Sequence, residues 1–226
     1  VDCGFSTAEI ERRLARLAVA PDRIDAILVT HEHSDHVAGV ARFAAAHRIP
    51  VRASAGTAAS PALAGCALPF DSHAPFAIGD LEVTPLIVPH DACEPTQFVL
   101  GDGARRIAVL TDAGHVTPYL LAALREIEAL ILEANHDETL LAAGPYPASL
   151  KRRVGGDYGH LSNAQAADLL GALAPGKLQQ LALAHLSEQN NRPELARAAA
   201  STALGCTPDW IAIADQDGGL GWREVN

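Results

Sequence analysis

The most informative segment of the sequence is His31-Glu32-His33-Ser34-Asp35-His36, which directly follows the strand-like run Ile24-Asp25-Ala26-Ile27-Leu28-Val29-Thr30. Three imidazoles and two carboxylates in six residues are costly to bury without partners, and imidazoles packed together repel one another once protonated. A divalent metal ion removes both difficulties, because it takes neutral imidazole and ionised carboxylate as ligands. The alternative, a polar loop with a chance run of histidines, leaves the clustering unexplained. We therefore predict that this loop binds metal.

The motif H-x-H-x-D-H after an apolar strand resembles the signature of the metallo-β-lactamase superfamily. The resemblance implies an α/β chain folded as a four-layer αββα sandwich, with metal ions at one edge of two packed sheets. Members of the superfamily have a pair of strands before the aspartate that Asp2 resembles, so we expect those strands to lie upstream of Val1. Because no repeat or long linker interrupts the sequence, we predict a single metallo-β-lactamase-like domain over residues 1–226.

The composition fits one core and no membrane partner. The chain has 226 residues, 49% of them hydrophobic, with no run of about 18 apolar residues and no visible signal peptide. Scattered cysteines without a C-x-x-C pair predict reduced thiols and a cytoplasmic protein; they are Cys3, Cys66, Cys93 and Cys206. A net charge of −10 argues against a broad nucleic-acid-binding face, although two bound divalent ions would add positive charge where a phosphodiester would lie.

Apolar periodicity and capping signals predict alternating helices and strands. The predicted helices are one that opens with the Ser6–Glu9 capping box and ends at Pro21, then Asp35 to about His47, Gly56–Leu63, Pro118–Glu128, a Pro/Gly-broken stretch to Val154, Ser162–Leu173 and Pro193–Leu204. The predicted strands are Ile24–Thr30, Val51–Ser54, Leu81–Val88, Thr96–Leu100, Arg106–Leu110, Ala129–Glu133, Leu178–Ala184 and Trp210–Ala214.

Residues that can bind metal follow four of these strands, and in chain order they are His31 with His33, His90, Asp112 and His185. A single histidine after a strand is ordinarily a surface residue, but four such coincidences among ten histidines are hard to dismiss. Ligands at strand ends are what a site on one rim of a sheet sandwich requires. We predict two divalent ions per chain, the first held by His31, His33 and His90, the second by Asp35, His36 and His185, with Asp112 bridging both. Predominantly imidazole ligation suits Zn²⁺, with Mn²⁺ as the alternative.

Other polar residues are predicted to act around the ions. Asp2 resembles the superfamily's first-motif aspartate, which supports the metal loop by hydrogen bonding; the alternative is a strand-end turn residue. We predict that Asp35 and His160 are catalytic. His160 precedes the helix start at Ser162, where an anion is favoured, so it could bind the scissile phosphate or protonate the leaving oxygen. The alternative is a histidine that makes a local cap. His136 and His115 are predicted to contact the substrate or support the ligands, against the alternative of surface residues.

The order of motifs in the second half resembles the nucleic-acid-processing branch of the superfamily, and most of all the WalJ/YycJ-type exonuclease family. The likeness includes Thr111–Thr117, Glu133–Asp137, Gly159–Asn163 and Ala184–Asn191, although the family's Gly/Ser-rich N-terminal stretch is not present here. It implies a metal-dependent phosphodiesterase in which a bridging hydroxide attacks a nucleic acid, with a DNA exonuclease favoured over action on RNA. The acidic charge favours a different hydrolase, a glyoxalase-II-like thioesterase or a cyclic-nucleotide phosphodiesterase. A non-catalytic metal-binding scaffold has little need for seven intact ligands.

Overall fold

A computed structural model of the protein describes residues 1–174 and 176–226, which divide into two compact units. The first unit comprises Val1–Ile87 and Ala92–Gly103, and the second comprises Val88–Asp91 and Ala104–Asn226. Within the described residues, no helix has the length and apolar character needed to cross a membrane. The assignment of residues 1–226 to a single domain stays a prediction.

The first unit combines a parallel sheet with an antiparallel meander. Its elements are α1 (Thr7–Arg16), β1 (Ile27–Val29), α2 (Ser34–Val37), α3 (Val40–His47), β2 (Val51–Ser54), α4 (Ala55–Ala58), β3 (Ala67–Phe70), β4 (Phe76–Ile78), β5 (Leu81–Ile87) and β6 (Thr96–Gly101). Strands β1, β2 and β3 pair in parallel in that order, while β5 pairs antiparallel with both β4 and β6. Helix α3 packs Val40 and Phe43 into a core with Val29 and Val51 from the parallel strands.

Helix α1 begins where the sequence predicts and ends earlier. The Ser6 side chain accepts a hydrogen bond from the backbone N–H of Glu9 at 3.4 Å. The Glu9 carboxylate accepts from Arg12 and Arg13 instead of returning to the cap, so only half of the predicted capping box forms. The helix ends at Arg16 and not at Pro21, because Ala18 adopts a left-handed backbone with φ 56°.

The single helix predicted from Asp35 to His47 is wrong, since the structure has α2 and α3 with a break at Ala38 and Gly39. The backbone N–H of Gly39 donates to the carbonyl of Cys3 at 2.9 Å. A Cβ atom at position 39 would lie 1.9 Å from the carbonyl oxygen of Phe5, so only glycine allows the N-terminal segment to cross here. This crossing confines α2 to a single turn that carries Asp35 and His36.

The second unit is built on a parallel sheet. Its elements are β7 (Arg106–Leu110), α5 (Pro118–Ala123), β8 (Ala129–Glu133), α6 (Glu138–Ala143), α7 (Ala148–Val154), α8 (Asn163–Leu173), β9 (Gln180–Ala184), α9 (Pro193–Leu204) and β10 (Ala212–Ile213). The strands pair in parallel in the order β10, β9, β8, β7. Helix α8 carries the predicted capping box in full, with Ser162 and Gln165 exchanging both bonds.

The differences from the predicted elements of the second unit lie at their ends. Helix α5 stops at Ala123 instead of Glu128, and β9 begins at Gln180 instead of Leu178. The last strand shortens to Ala212–Ile213 because Trp210 lies in a 3₁₀ turn. None of these shifts moves the carboxyl ends of β7, β8 and β9, where the polar residues of interest follow.

Candidate metal centre

Parallel pairing brings the carboxyl ends of β7, β8 and β9 to one edge of the sheet in the second unit. Leu110 of β7 pairs with Leu132 of β8, and Glu133 at the end of β8 pairs with Ala184 of β9. Asp112 therefore follows β7 at the same edge where His185 follows β9. Ligand-binding sites of open α/β sheets usually lie at the carboxyl ends of the strands. Asp112 and His185 have left-handed backbones with φ 51° and 56°. Such conformations cost about 1–3 kcal/mol each in non-glycine residues and cluster at functional sites.

Asp112 lies at the centre of this cluster. Its Oδ1 atom is 3.8 Å from His90 Nε2, 3.7 Å from His185 Nε2 and 3.6 Å from His160 Nδ1. Two ligands bound at about 2.0–2.2 Å in a tetrahedral site are separated by roughly 3.4 Å. The buried carboxylate and the Nε2 atoms of His90 and His185 thus have the spacing and chemistry that a divalent ion requires.

Glu133 ties two histidines of the cluster together. Its Oε1 atom accepts from His160 Nδ1 and from His185 Nδ1, each at 2.8 Å. Its Oε2 atom accepts from the backbone N–H groups of Leu161 at 3.0 Å and Ala113 at 3.3 Å. Burial alone would raise the pKa of the Glu133 carboxyl, but the hydrogen bonds and charges of the two histidines outweigh it and lower the pKa. Glu133 is therefore an ionised, fully buried anchor.

The pKa values of His90 and His160 are shifted in opposite directions. His90 Nδ1 donates to the carbonyl of Gly159 at 3.0 Å, and burial lowers the pKa of its imidazole. Burial also acts to lower the pKa of His160, but the hydrogen bond to Glu133 and the charges of Glu133 and Asp112 raise it overall. A neutral His90 suits a metal ligand, whereas a His160 that keeps its proton suits an anion or a proton donor.

In the first unit, a separate network orients the histidine loop. Asp2 accepts from the backbone N–H of Thr30 at 2.8 Å, from the Thr30 hydroxyl at 3.0 Å and from His36 Nδ1 at 2.8 Å. The Thr30 hydroxyl in turn accepts from His31 Nδ1 at 2.9 Å. Asp2 thus contacts the loop from behind, as its resemblance to the first-motif aspartate implies, and it does so with a left-handed backbone of φ 58°.

The loop itself presents imidazole nitrogens to one another. His31 Nε2 lies 2.9 Å from His33 Nδ1, and His36 Nε2 lies 3.4 Å from the carboxylate of Asp35, whose side chain is 65% exposed. His31, His36, His90 and His185 share one pattern: Nδ1 is engaged by a neighbouring oxygen, which fixes the ring and leaves Nε2 as the nitrogen that can bind a metal ion. This is the arrangement in which proteins hold metal-ligating histidines.

The two remaining predicted histidines lie outside these groups. His115 Nδ1 donates to the carbonyl of Asp157 at 2.9 Å. His136 is buried, which lowers its pKa, and its Nδ1 has no hydrogen-bond partner among the residues that the structure describes. Neither belongs to a cluster of potential ligands in the described ranges. His136 is not the surface residue that the alternative interpretation offered.

Sequence reasoning assigned no role to Glu133 or Thr30, although both make central contacts. Glu133 carries a signal in retrospect: an acidic residue closes the otherwise apolar strand Ala129–Glu133, where a charge is costly unless it is paired. Thr30 has no such signal, because a threonine at a strand end is ordinary.

Residues 1–185 match the family model of the beta-lactamase superfamily domain. The chain belongs to the metallo-β-lactamase superfamily. This metallo-β-lactamase-fold chain is 36% identical over 211 residues to Exodeoxyribonuclease YycJ of Bacillus anthracis, covering 90% of the chain and 80% of that relative. It is 32% identical over 204 residues to Exodeoxyribonuclease WalJ of Streptococcus pneumoniae serotype 2 (strain D39), covering 87% and 76% respectively. Membership of the YycJ/WalJ family, predicted from the motifs, is confirmed.

The fold prediction is confirmed by comparison with solved structures. The metallo-β-lactamase fold protein YhfI of Bacillus subtilis superposes with a TM-score of 0.72 at 18% identity, covering 98% of this chain and 85% of that one. The α/β metallo-β-lactamase fold, the family and the clusters of potential ligands together make the protein a metal-dependent hydrolase.

Proposed function

We propose that the protein is a dinuclear metal-dependent phosphodiesterase that acts on nucleic acid as a DNA exonuclease. The names of two relatives, each matching most of the chain, support a nuclease. The observation that carries the proposal is Glu133, which holds His185 and His160 on one carboxylate oxygen. One anchor thereby fixes a predicted ligand beside a histidine that is placed to bind or protonate an anion, which is the pairing that phosphodiester cleavage needs.

The proposed ligands are those predicted from the sequence: His31, His33, Asp35, His36, His90, Asp112 and His185. The buried, pre-oriented imidazoles and the central carboxylate fit divalent ions, with Zn²⁺ favoured and Mn²⁺ the alternative. When bound, such ions lower the pKa of a coordinated water toward neutrality and polarise the group that is attacked. The protein's part is to keep the imidazoles of His31, His36, His90 and His185 in the tautomer that offers Nε2.

His160 is proposed to bind the scissile phosphate and to protonate the leaving oxygen. Its Nδ1–H donates to Glu133, so Nε2 is the atom that meets the substrate. The ring is 21% exposed, and the backbone of its neighbour Leu161 also donates to Glu133. The Glu133 carboxylate thus fixes the orientation of the imidazole, while the outer edge of the ring remains accessible.

A small-molecule hydrolase, such as a glyoxalase-II-like thioesterase or a cyclic-nucleotide phosphodiesterase, is the second candidate. The net charge of −10 favours it, because a nucleic acid meets long-range repulsion from an acidic protein. The four free cysteines support a cytoplasmic location, which we propose together with the single domain over residues 1–226.

The test compares substrates and a matched pair of histidine variants. Metal-loaded protein is given end-labelled single- and double-stranded DNA, RNA of the same sequence, a thioester and a cyclic nucleotide. We expect DNA to be shortened stepwise, His185→Ala to abolish this, and His73→Ala, at an exposed position of the first unit, to leave it unchanged. Turnover of a thioester or cyclic nucleotide without cleavage of any DNA or RNA would overturn the proposal.

A further inference from the structure

Tyr158 is an exposed aromatic residue beside the candidate centre. Its side chain belongs to a residue that is 63% exposed, and it lies two positions before His160 in the chain. Tyrosine is enriched at binding interfaces, because its ring supplies a large apolar contact area while its hydroxyl group can stay hydrated. Within the residues that the structure describes, the side chain of Tyr158 makes no hydrogen bond and no aromatic contact.

The backbone beneath this ring is fixed by residues that flank the centre. The three consecutive carbonyls of Asp157, Tyr158 and Gly159 accept hydrogen bonds from His115 Nδ1 at 2.9 Å, the backbone N–H of Asp91 at 3.1 Å and His90 Nδ1 at 3.0 Å. The peptide that carries the tyrosine is therefore anchored on one side by His90, a predicted ligand, and on the other by His115. Movement of Tyr158 away from the site would break these bonds.

Close packing adds to this rigidity. A Cβ atom at Gly114 would lie 2.1 Å from the carbonyl oxygen of Asp157, and one at Gly159 would lie 2.2 Å from the carbonyl oxygens of Arg153 and Val154. Backbone approaches this close leave no room for another conformation of the segment. The backbone that carries Tyr158 is thus already ordered, which reduces the conformational entropy lost when a ligand binds.

Three consecutive cations lie on the helix that leads into this segment. Lys151 of α7 donates to the carbonyl of Ala142 at 2.6 Å, and Arg153 bonds to Asp91 at 2.5 Å. Arg152, between them, is exposed, and its guanidinium makes no hydrogen bond or ion pair within the part of the chain that the structure describes. A guanidinium group and an aromatic ring on one segment are the two groups with which proteins hold single-stranded nucleic acid.

We propose that Tyr158 stacks on the base of a nucleotide that adjoins the scissile phosphate. This inference rests on the proposed action on nucleic acid and assigns the group that holds the strand end. Stacking requires only the π-face that every base presents, so it suits an exonuclease that passes through any sequence. The fixed backbone sets the distance between the stacked base and His160, and hence places the phosphate.

The experiment measures binding to metal-loaded protein by fluorescence anisotropy, with phosphorothioate oligonucleotides that resist cleavage. Single abasic positions are placed one, two or three nucleotides from each end. Tyr158→Ala and Tyr158→Leu remove the aromatic face, Tyr158→Phe keeps it, and Trp222→Ala removes another exposed aromatic residue, 73% exposed, from the C-terminal segment. Metal content and thermal unfolding of each variant show whether the fold is retained.

We expect Tyr158→Ala and Tyr158→Leu to weaken binding about 5- to 150-fold, the range for one lost stacking contact, while Tyr158→Phe and Trp222→Ala bind like the parent. We also expect one abasic position to weaken binding to the parent and to have no further effect on Tyr158→Ala, because the same contact is already lost. Equal losses for the abasic strand in both proteins overturn the stacking contact. If the abasic strand gives equal losses but a separate assay shows that DNA is still cleaved, the proposed function stands and only the stacking contact is overturned. If the protein neither binds nor cleaves DNA, the stacking contact and the proposed function are both overturned.

Discussion

Replacement of Glu133 by glutamine removes the charge of the buried anchor and keeps its volume. The carboxylate accepts four hydrogen bonds, two from imidazoles at 2.8 Å and two from backbone N–H groups at 3.0 and 3.3 Å. A glutamine oxygen can replace only one of the two carboxylate oxygens, and its NH₂ group then faces two buried donors. Each donor left without an acceptor costs about 1–3 kcal/mol, and removing one partner of a buried ion pair costs about 3–5 kcal/mol in total, so we expect Glu133→Gln to destabilise the protein by about 3–5 kcal/mol.

The measurement is urea unfolding of metal-free protein, with thermal unfolding as a second readout. A loss of this size lowers the melting temperature of a chain of this length by about 6–20 °C. We expect turnover of labelled DNA to fall about 10²–10⁴-fold, because His160 loses the acceptor that fixes its ring and holds its proton. Metal content should be measured alongside, since His185 loses the same support.

Glu128→Gln is the matched control, because Glu128 lies just before the other end of the same strand. Its Oε2 atom accepts a single bond, from the backbone N–H of Arg106 at 2.7 Å, which a glutamine oxygen can still accept. We expect a change below about 1 kcal/mol and unaltered turnover. Should Glu133→Gln match the parent in both stability and turnover, Glu133 does not anchor the two histidines as argued.

Three further predictions concern single side chains. His160→Ala should leave both ions bound while turnover falls about 10²–10⁴-fold, measured by metal analysis and DNA hydrolysis; loss of metal would show that His160 is a ligand. Asp2→Asn should weaken metal affinity about 10–100-fold in a chelator competition, because asparagine tolerates the left-handed backbone but cannot accept from both Thr30 and His36; unchanged affinity would exclude support by Asp2. Cys3, buried and with a pKa raised to about 11 mainly by burial, should resist iodoacetamide at pH 8 in the native protein and react after denaturation; native labelling would contradict its burial.

The parts of the fold predicted well from the sequence are those in which local signals agree. Helix α8 has a full capping box and ends at Leu173, and strand β8 is a short apolar run, so both ranges were predicted as observed. The helix predicted from Asp35 failed because the break at Gly39 is set by contact with Phe5, far away in the chain. Local periodicity holds no information about such a crossing.

The same division applies to the candidate site. Histidines at strand ends could be found from the sequence, because a polar residue after an apolar run is visible in the chain. The anchoring role of Glu133 depends on two partners, His160 and His185, that follow it by 27 and 52 positions. Likewise, the support of His31 by Thr30 is a matter of side-chain orientation, which spacing alone does not give.

A metal titration shows whether bound divalent ions make this chain a nuclease. Zn²⁺ or Mn²⁺ is added stepwise to metal-free protein while bound metal and release of nucleotides from end-labelled DNA are measured in the same samples. We expect nucleotide release to rise with metal occupancy and to reach its plateau at two ions per chain. Full occupancy without cleavage of DNA, or cleavage that is undiminished in metal-free protein, would contradict it.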